Sequence, residues 1–244
     1  MKMASHLLDK HLATSLSWHS IVDEFLKDKP EFKKYGRPAT PLSPQFSNPM
    51  KCFAYFITYQ AFTARSCKSM WDQLVNLVNH LLLSISSDNY NVWPPSVLIN
   101  IPDEELYGRN GVGLSKNKIN AIKGMAHYLI KHPHIYDKHS SSKEIIINIS
   151  KQIKGVGPFT IASFLIEFGH LDIANYYDRI VRKGIMIHYK LDKVPTIKQA
   201  EKLLANKWGK YKTIGTLYMF AIVNKPPRMN ELLCHIYTLQ QRLT

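Results

Sequence analysis

Apolar residues in this chain recur every three or four positions and seldom alternate with polar ones. That spacing suits helices and leaves little material for a sheet. In "NPMKCFAYFITYQAFTARSCKSMWDQLVNLVNHLLLSI" it puts Phe53, Phe56, Ile57 and Gln60 on one face. Further on, Trp71, Leu74, Val75, Val78 and Leu81 follow the same spacing. "LSKNKINAIKGMAHYLIKH" opens on a Ser115 cap and repeats Ile119, Ile122, Met125, Ala126 and Leu129. The run "EIIINI" could pass for a strand, but its flanks in "SSKEIIINISKQIKG" read as a short helix. "PFTIASFLIEFG", "YYDRIVRKGIMIHYK", "PTIKQAEKLLANKW", "KTIGTLYMFAIVNK" and "RMNELLCHIYTLQQRL" complete the series. The fold class is therefore all-α, with short β-pieces near the N-terminus left open.

Proline and glycine mark the boundaries. The least regular stretch, "KKYGRPATPLSPQFSNP", separates an N-terminal helical segment and linker (1–45) from a main body (46–225). A C-terminal helix (226–244) is expected to pack on that body. The chain has 244 residues and is 45% apolar, enough for a sizeable core. Its 32 Lys and Arg against 18 Asp and Glu leave a net charge of +14. Such an excess points to a polyanion, with nucleic acid first and an anionic membrane surface second. Cys52, Cys67 and Cys234 are spaced for neither a disulfide framework, a zinc site nor an iron–sulfur cluster. No apolar run has the length of a membrane span, and the expectation is a soluble, intracellular monomer.

One turn carries more information than the rest. In "IKGVGPFT", Gly155 and Gly157 flank Val156, and Pro158 follows. Glycine permits positive φ and close approach of a second backbone or a phosphate. Proline is preset for the first helical turn. Such a turn is either plain punctuation between helices or an anion cradle backed by the dipole of the next helix. Flanked by "SKEIIINISKQIK" and "PFTIASFLIEFG", it makes a helix–hairpin–helix, a unit that grips the nucleic-acid backbone without reading sequence. Downstream, Asp178 in "NYYDRIVRKG" stands before a basic helix. It is either an N-cap alone or an N-cap with a second use.

The stretch "IKGVGPFTIASFLIEFGHLDIANYYDRIVRKG" resembles the core of the helix–hairpin–helix DNA glycosylases, specifically the DNA-3-methyladenine glycosylase II (alkylpurine) branch. "FAYFITYQAFTARSCKSMW", "GVGLSKNKINAIKGMAHYL" and "KWGKYKTIGTLYMFAI" resemble three further segments of that family, in its order. The resemblance spans roughly residues 50 to 225 and implies a two-lobed helical fold. It also implies monofunctional excision of alkylated purines (3-methyladenine, 7-methylguanine) from double-stranded DNA in base excision repair. The location would be nuclear in a eukaryote and cytoplasmic otherwise.

Residue by residue, the resemblance makes Asp178 the catalytic carboxylate and Asp172 the family's earlier, non-catalytic Asp. Lys154, Gly155, Val156, Gly157 and Thr160 of the hairpin (151–160) would hold DNA, helped by Ser115, Lys118, Lys212 and Thr213. Phe159 and Phe220 align with pocket tryptophans, with Tyr59, Tyr176 and Tyr177 as further aromatic candidates. Gln60, Ala61 and Phe62 fall in the wedge that fills the hole left by a flipped base. The backbone at Ile153 and Val156 would hold a structural Na+ or K+, and catalysis would need no cofactor. Where bifunctional relatives carry a Schiff-base lysine, this chain has Phe159. Tyr177 replaces the first Asp of the family's Asp-Asp pair, and the proline before that pair is absent. Two other readings fit the charge and the hairpin: a catalytically silent DNA-binding module, and a glycosylase for another lesion.

Overall fold

Helix boundaries in the computed structural model fall where proline, glycine and capping side chains interrupt the periodicity. The structure describes residues 18–38, 48–60, 64–85, 93–133, 142–205 and 207–223. These residues are helical apart from turns and one isolated bridge between Tyr107 and Leu114. The chain divides into two units, one of residues 41–170 and the other of residues 1–40 with 171–244.

The 41–170 unit contains helices α2 (Pro49–Thr58), α3 (Ala64–Ile85), α4 (Pro95–Asn100), α5 (Asp103–Leu106), α6 (Lys116–Lys131), α7 (Ser142–Gln152) and α8 (Pro158–Glu167). Asn48 starts α2 by accepting the Lys51 N–H at 2.9 Å, and Pro49 supplies the first turn. α2 packs on α6 and α8, α4 on α6, and α7 on α8. Stacked rings of Phe53 and Phe164, 3.8 Å apart, join α2 to α8. Ile57, Leu74, Val78, Ile119, Ile122, Met125 and Leu129 are buried, as the helical spacing predicts. Each such side chain contributes about 1.5–3 kcal/mol on burial. The isoleucine run belongs to α7: Ile149 is buried and Ile147 exposed, a helical rather than an alternating pattern.

The second unit joins distant parts of the chain. Helix α1 (18–28) and a short 3-10 helix (Pro30–Tyr35) pack with α9 (Arg179–His188), α10 (Ile197–Leu204) and α11 (212–223). Trp18, Val22, Phe25 and Phe32 form one core with Val181, Ile185, Leu204, Trp208, Ile214 and Tyr218. Phe25 stacks on Tyr218 at 5.7 Å, and Phe32 on His188 at 4.4 Å. The expected helix at 226–244 lies outside the described residues.

α9 and α11 meet at Gly184, where a Cβ would lie 2.3 Å from the carbonyl oxygen of Met219. Backbone cannot swing aside as a flexible side chain can. Gly184→Ala is therefore expected to cost roughly 1–3 kcal/mol through overpacking. Thermal unfolding followed by circular dichroism checks this, at about 2–4 °C per kcal/mol for a chain of this size. An unchanged midpoint would contradict the close crossing.

Candidate active site

The two glycines of the hairpin serve different needs. Gly155 has φ +92°, a left-handed conformation that side chains resist. A Cβ there would sit 3.1 Å from the Ala121 Cβ and 3.2 Å from the Asn117 carbonyl oxygen, against α6. Gly155 is thus demanded by the protein itself. Gly157 is extended, at φ −98° and ψ 174°, and a Cβ there meets nothing within 4 Å. The fold makes no demand for glycine at 157.

Gly157 is also the N-cap of α8, and it offers no side chain to the first-turn N–H groups. Those donors have no intrahelical acceptor and sit at the positive end of the helix dipole. Between the glycines, Val156 is buried and donates its N–H to Ile153 at 3.1 Å, which closes the turn. Lys154 is exposed beside it.

Of the other residues assigned to DNA contact, Thr160 and Lys118 are buried and Ser115 is exposed. Thr160 is fully buried and accepts a hydrogen bond from the Gln60 amide. The same Gln60 Nε2 donates to the Gly155 carbonyl at 3.2 Å. Ser115 caps α6 by accepting the Lys118 N–H at 3.4 Å. The Lys118 ammonium is buried and donates to the Thr58 carbonyl at the C-terminal end of α2, at 2.5 Å. Burial lowers its pKa, and the carbonyl end of a helix is a favourable place for its charge. Tyr59 is half-buried, its ring 4.2 Å from that of Tyr55. Phe159 is half-buried. Ala61 and Phe62 lie outside the described residues.

In the other unit, residues 171–178 are strapped to the start of α11. Thr213 donates its N–H to Leu171 at 3.0 Å and its hydroxyl to Ile173 at 3.1 Å. The Asn175 N–H donates to the Thr216 hydroxyl at 3.3 Å, and Asp178 N–H to Asn175 at 3.2 Å. Thr213, Thr216 and Asn175 are buried. The strap delivers Asp178 to the N-cap of α9, where its Oδ1 accepts the Ile180 N–H at 2.6 Å.

Asp178 is half-buried. Burial lifts its carboxyl above the usual range, opposed by the N–H groups of Ile180 and Val181 and by the Arg182 guanidinium. Arg182 is anchored by a 3.0 Å bond to the Pro195 carbonyl. Asp172 is exposed. Tyr176 is buried and stacks on Trp208 at 6.4 Å, while Tyr177 is 41% exposed. Phe220 packs half-buried on the core of this unit, and Lys212 is half-buried.

Sequence reasoning missed the Gln60 tie to the hairpin and the Asn175–Thr216 strap. Both join residues far apart in the chain, and no local pattern announces them.

No protein-family model matches the chain, and no curated protein matches it. Solved structures do. The Schizosaccharomyces pombe 3-methyladenine DNA glycosylase, in complex with abasic DNA, superposes with a TM-score of 0.59 at 20% identity, over 81% of this chain and 88% of that one. The Bacillus halodurans DNA-3-methyladenine glycosidase gives 0.60 at 18%, over 86% and 94%. The Archaeoglobus fulgidus 3-methyladenine DNA glycosylase gives 0.68 at 15%, over 90% and 75%. The all-α architecture, with its helix–hairpin–helix at α7 and α8, is the fold of these DNA glycosylases.

Proposed function

We propose that this protein is a monofunctional DNA glycosylase that excises alkylated purines, 3-methyladenine and 7-methylguanine, in base excision repair. The observation that carries the reading is Asp178, a half-buried carboxylate fixed by a backbone N–H at the end of a strapped loop. Cleaving an N-glycosidic bond builds positive charge on the sugar. A fixed carboxylate stabilises that charge and orients or deprotonates the attacking water. Phe159, where bifunctional relatives carry lysine, offers no amine for a Schiff base.

The hairpin supports the second half of the reading, the grip on duplex DNA. Gly157 is open to an outside partner, and the α8 N-terminus faces it without a capping side chain. With a net charge of +14, the chain suits double-stranded DNA as partner, bound as a monomer. The Ile153 carbonyl already accepts the Val156 N–H. Its second lone pair fits a structural Na+ or K+ there, which would brace the turn and take no part in the chemistry.

The base is proposed to meet an aromatic face, for which Phe159, Phe220, Tyr59, Tyr176 and Tyr177 are each candidates. A cationic alkylpurine gains an attraction to such faces that a neutral base lacks. Its glycosidic bond is also weakened already by the positive charge. Duplexes carrying 3-methyladenine, 7-methylguanine, hypoxanthine, uracil or 8-oxoguanine test this through abasic-site formation. The methylated purines should be released about tenfold faster or more than the neutral bases. Release of uracil or 8-oxoguanine without activity on methylated DNA would remove the alkylpurine assignment. Duplex binding with no release of any base would favour the silent DNA-binding module.

A further inference from the structure

The geometry points to Gln60 as a positioning residue that sets the hairpin for the DNA backbone, rather than as part of the wedge. One amide nitrogen has two hydrogens, and the hairpin takes both. Gln60 Nε2 donates to the Gly155 carbonyl on one side of the Gly157–Pro158 step and to the Thr160 hydroxyl on the other. The two acceptors straddle the residues whose backbone is proposed to meet phosphate. The donor sits on a fixed base. Gln60 closes the end of α2 by donating its own N–H to Ile57 at 3.3 Å. Two residues earlier the Thr58 carbonyl is held by the Lys118 ammonium at 2.5 Å. On its other side the hairpin rests on α6, through Gly155 against Ala121 and Asn117. The turn is thus clamped between the end of α2 and the start of α6. Gln60 is the side chain that closes the clamp.

A side chain committed in this way is not free to enter a base stack. It acts on DNA only through the shape of the hairpin, and this part of the inference rests on the glycosylase reading. Gln60→Ala removes both donors. Gln60→Glu keeps the volume, but at neutral pH its carboxylate cannot donate to the Gly155 carbonyl.

The test measures amide hydrogen exchange and duplex binding in the full chain for both variants. Exchange at the Val156 amide, whose bond to Ile153 closes the turn, should rise about tenfold, the worth of a hydrogen bond or two. Exchange in the middle of α6 should hold. Affinity for undamaged duplex should fall in both variants, with the loss on affinity rather than on the excision rate at saturating duplex. Rescue of hairpin exchange by Gln60→Glu would mean that volume alone matters and would overturn the inference. So would unchanged Val156 exchange in Gln60→Ala, or intact duplex affinity with a collapsed rate, which is the signature of a wedge. The exchange and affinity arms read out whether or not wild-type protein releases a base. A failure of the glycosylase reading is therefore distinguishable from a failure of this one.

Discussion

Asp178→Asn is expected to slow single-turnover excision by about a hundredfold or more while leaving duplex affinity intact. The structure makes this substitution unusually clean. Asp178 caps α9 through its Oδ1. Asparagine caps as well as aspartate, whereas Ala would cost about 1 kcal/mol of helix stability as well. Asparagine therefore removes the charge and keeps the fold.

The pH dependence has a definite sign. Burial raises the Asp178 pKa, so the carboxyl takes up its proton at a higher pH than an ordinary aspartate. Excision should fall as pH drops through that raised value and level off above it, and the Asn variant should lose this acid limb. Stability runs the other way. A carboxyl whose folded pKa lies above its unfolded one contributes stability below the unfolded pKa, and that stability is lost as pH rises through the folded value. Asp178→Asn should then be at least as stable as wild type near neutrality. Asp172→Asn, at an exposed position, is the control and should excise at close to the wild-type rate. Near-normal rates in Asp178→Asn would remove the catalytic assignment.

The second large effect separates the two hairpin glycines. Gly157→Ala should leave the free protein as stable as before, since the added Cβ meets nothing within 4 Å. It should crowd an incoming phosphate and weaken binding to all duplexes alike. Losing a hydrogen bond to a charged group is worth about 1.5–3 kcal/mol, or roughly ten- to a hundredfold. Gly155→Ala should instead damage the protein without DNA, because it combines a φ of +92° with contacts of 3.1 and 3.2 Å. Thermal unfolding and duplex titrations at several salt concentrations resolve the pair. Altered lesion preference with unchanged affinity in Gly157→Ala would contradict a backbone-gripping role, since backbone contacts carry no base information.

The hairpin could be read from sequence because its chemistry is local. Two glycines, a proline and a following apolar run state a turn, an N-cap and a helix in eight residues. α7 could be read despite its isoleucines because the flanking residues keep the helical period. What escaped was carried by distance along the chain. Phe25 and Phe32 share a core with Tyr218, and neither segment shows which partner covers its apolar face. Lys118 is an ordinary lysine in sequence, and only the packing of α2 on α6 buries it on the Thr58 carbonyl. The structure shows Asp178 as the N-cap of α9, and the catalytic role is the proposal built on that geometry. The backbone N–H that caps the helix also fixes the carboxylate that the proposed chemistry needs.

The most direct test of the account is to incubate the purified protein with methylated duplex DNA and follow both products, the released base by chromatography and the DNA strand by gel. The account predicts free 3-methyladenine or 7-methylguanine, with the strand intact until alkali or heat cleaves the abasic site. Strand cleavage without alkali would contradict the monofunctional chemistry, and no free base at all would contradict the glycosylase assignment itself.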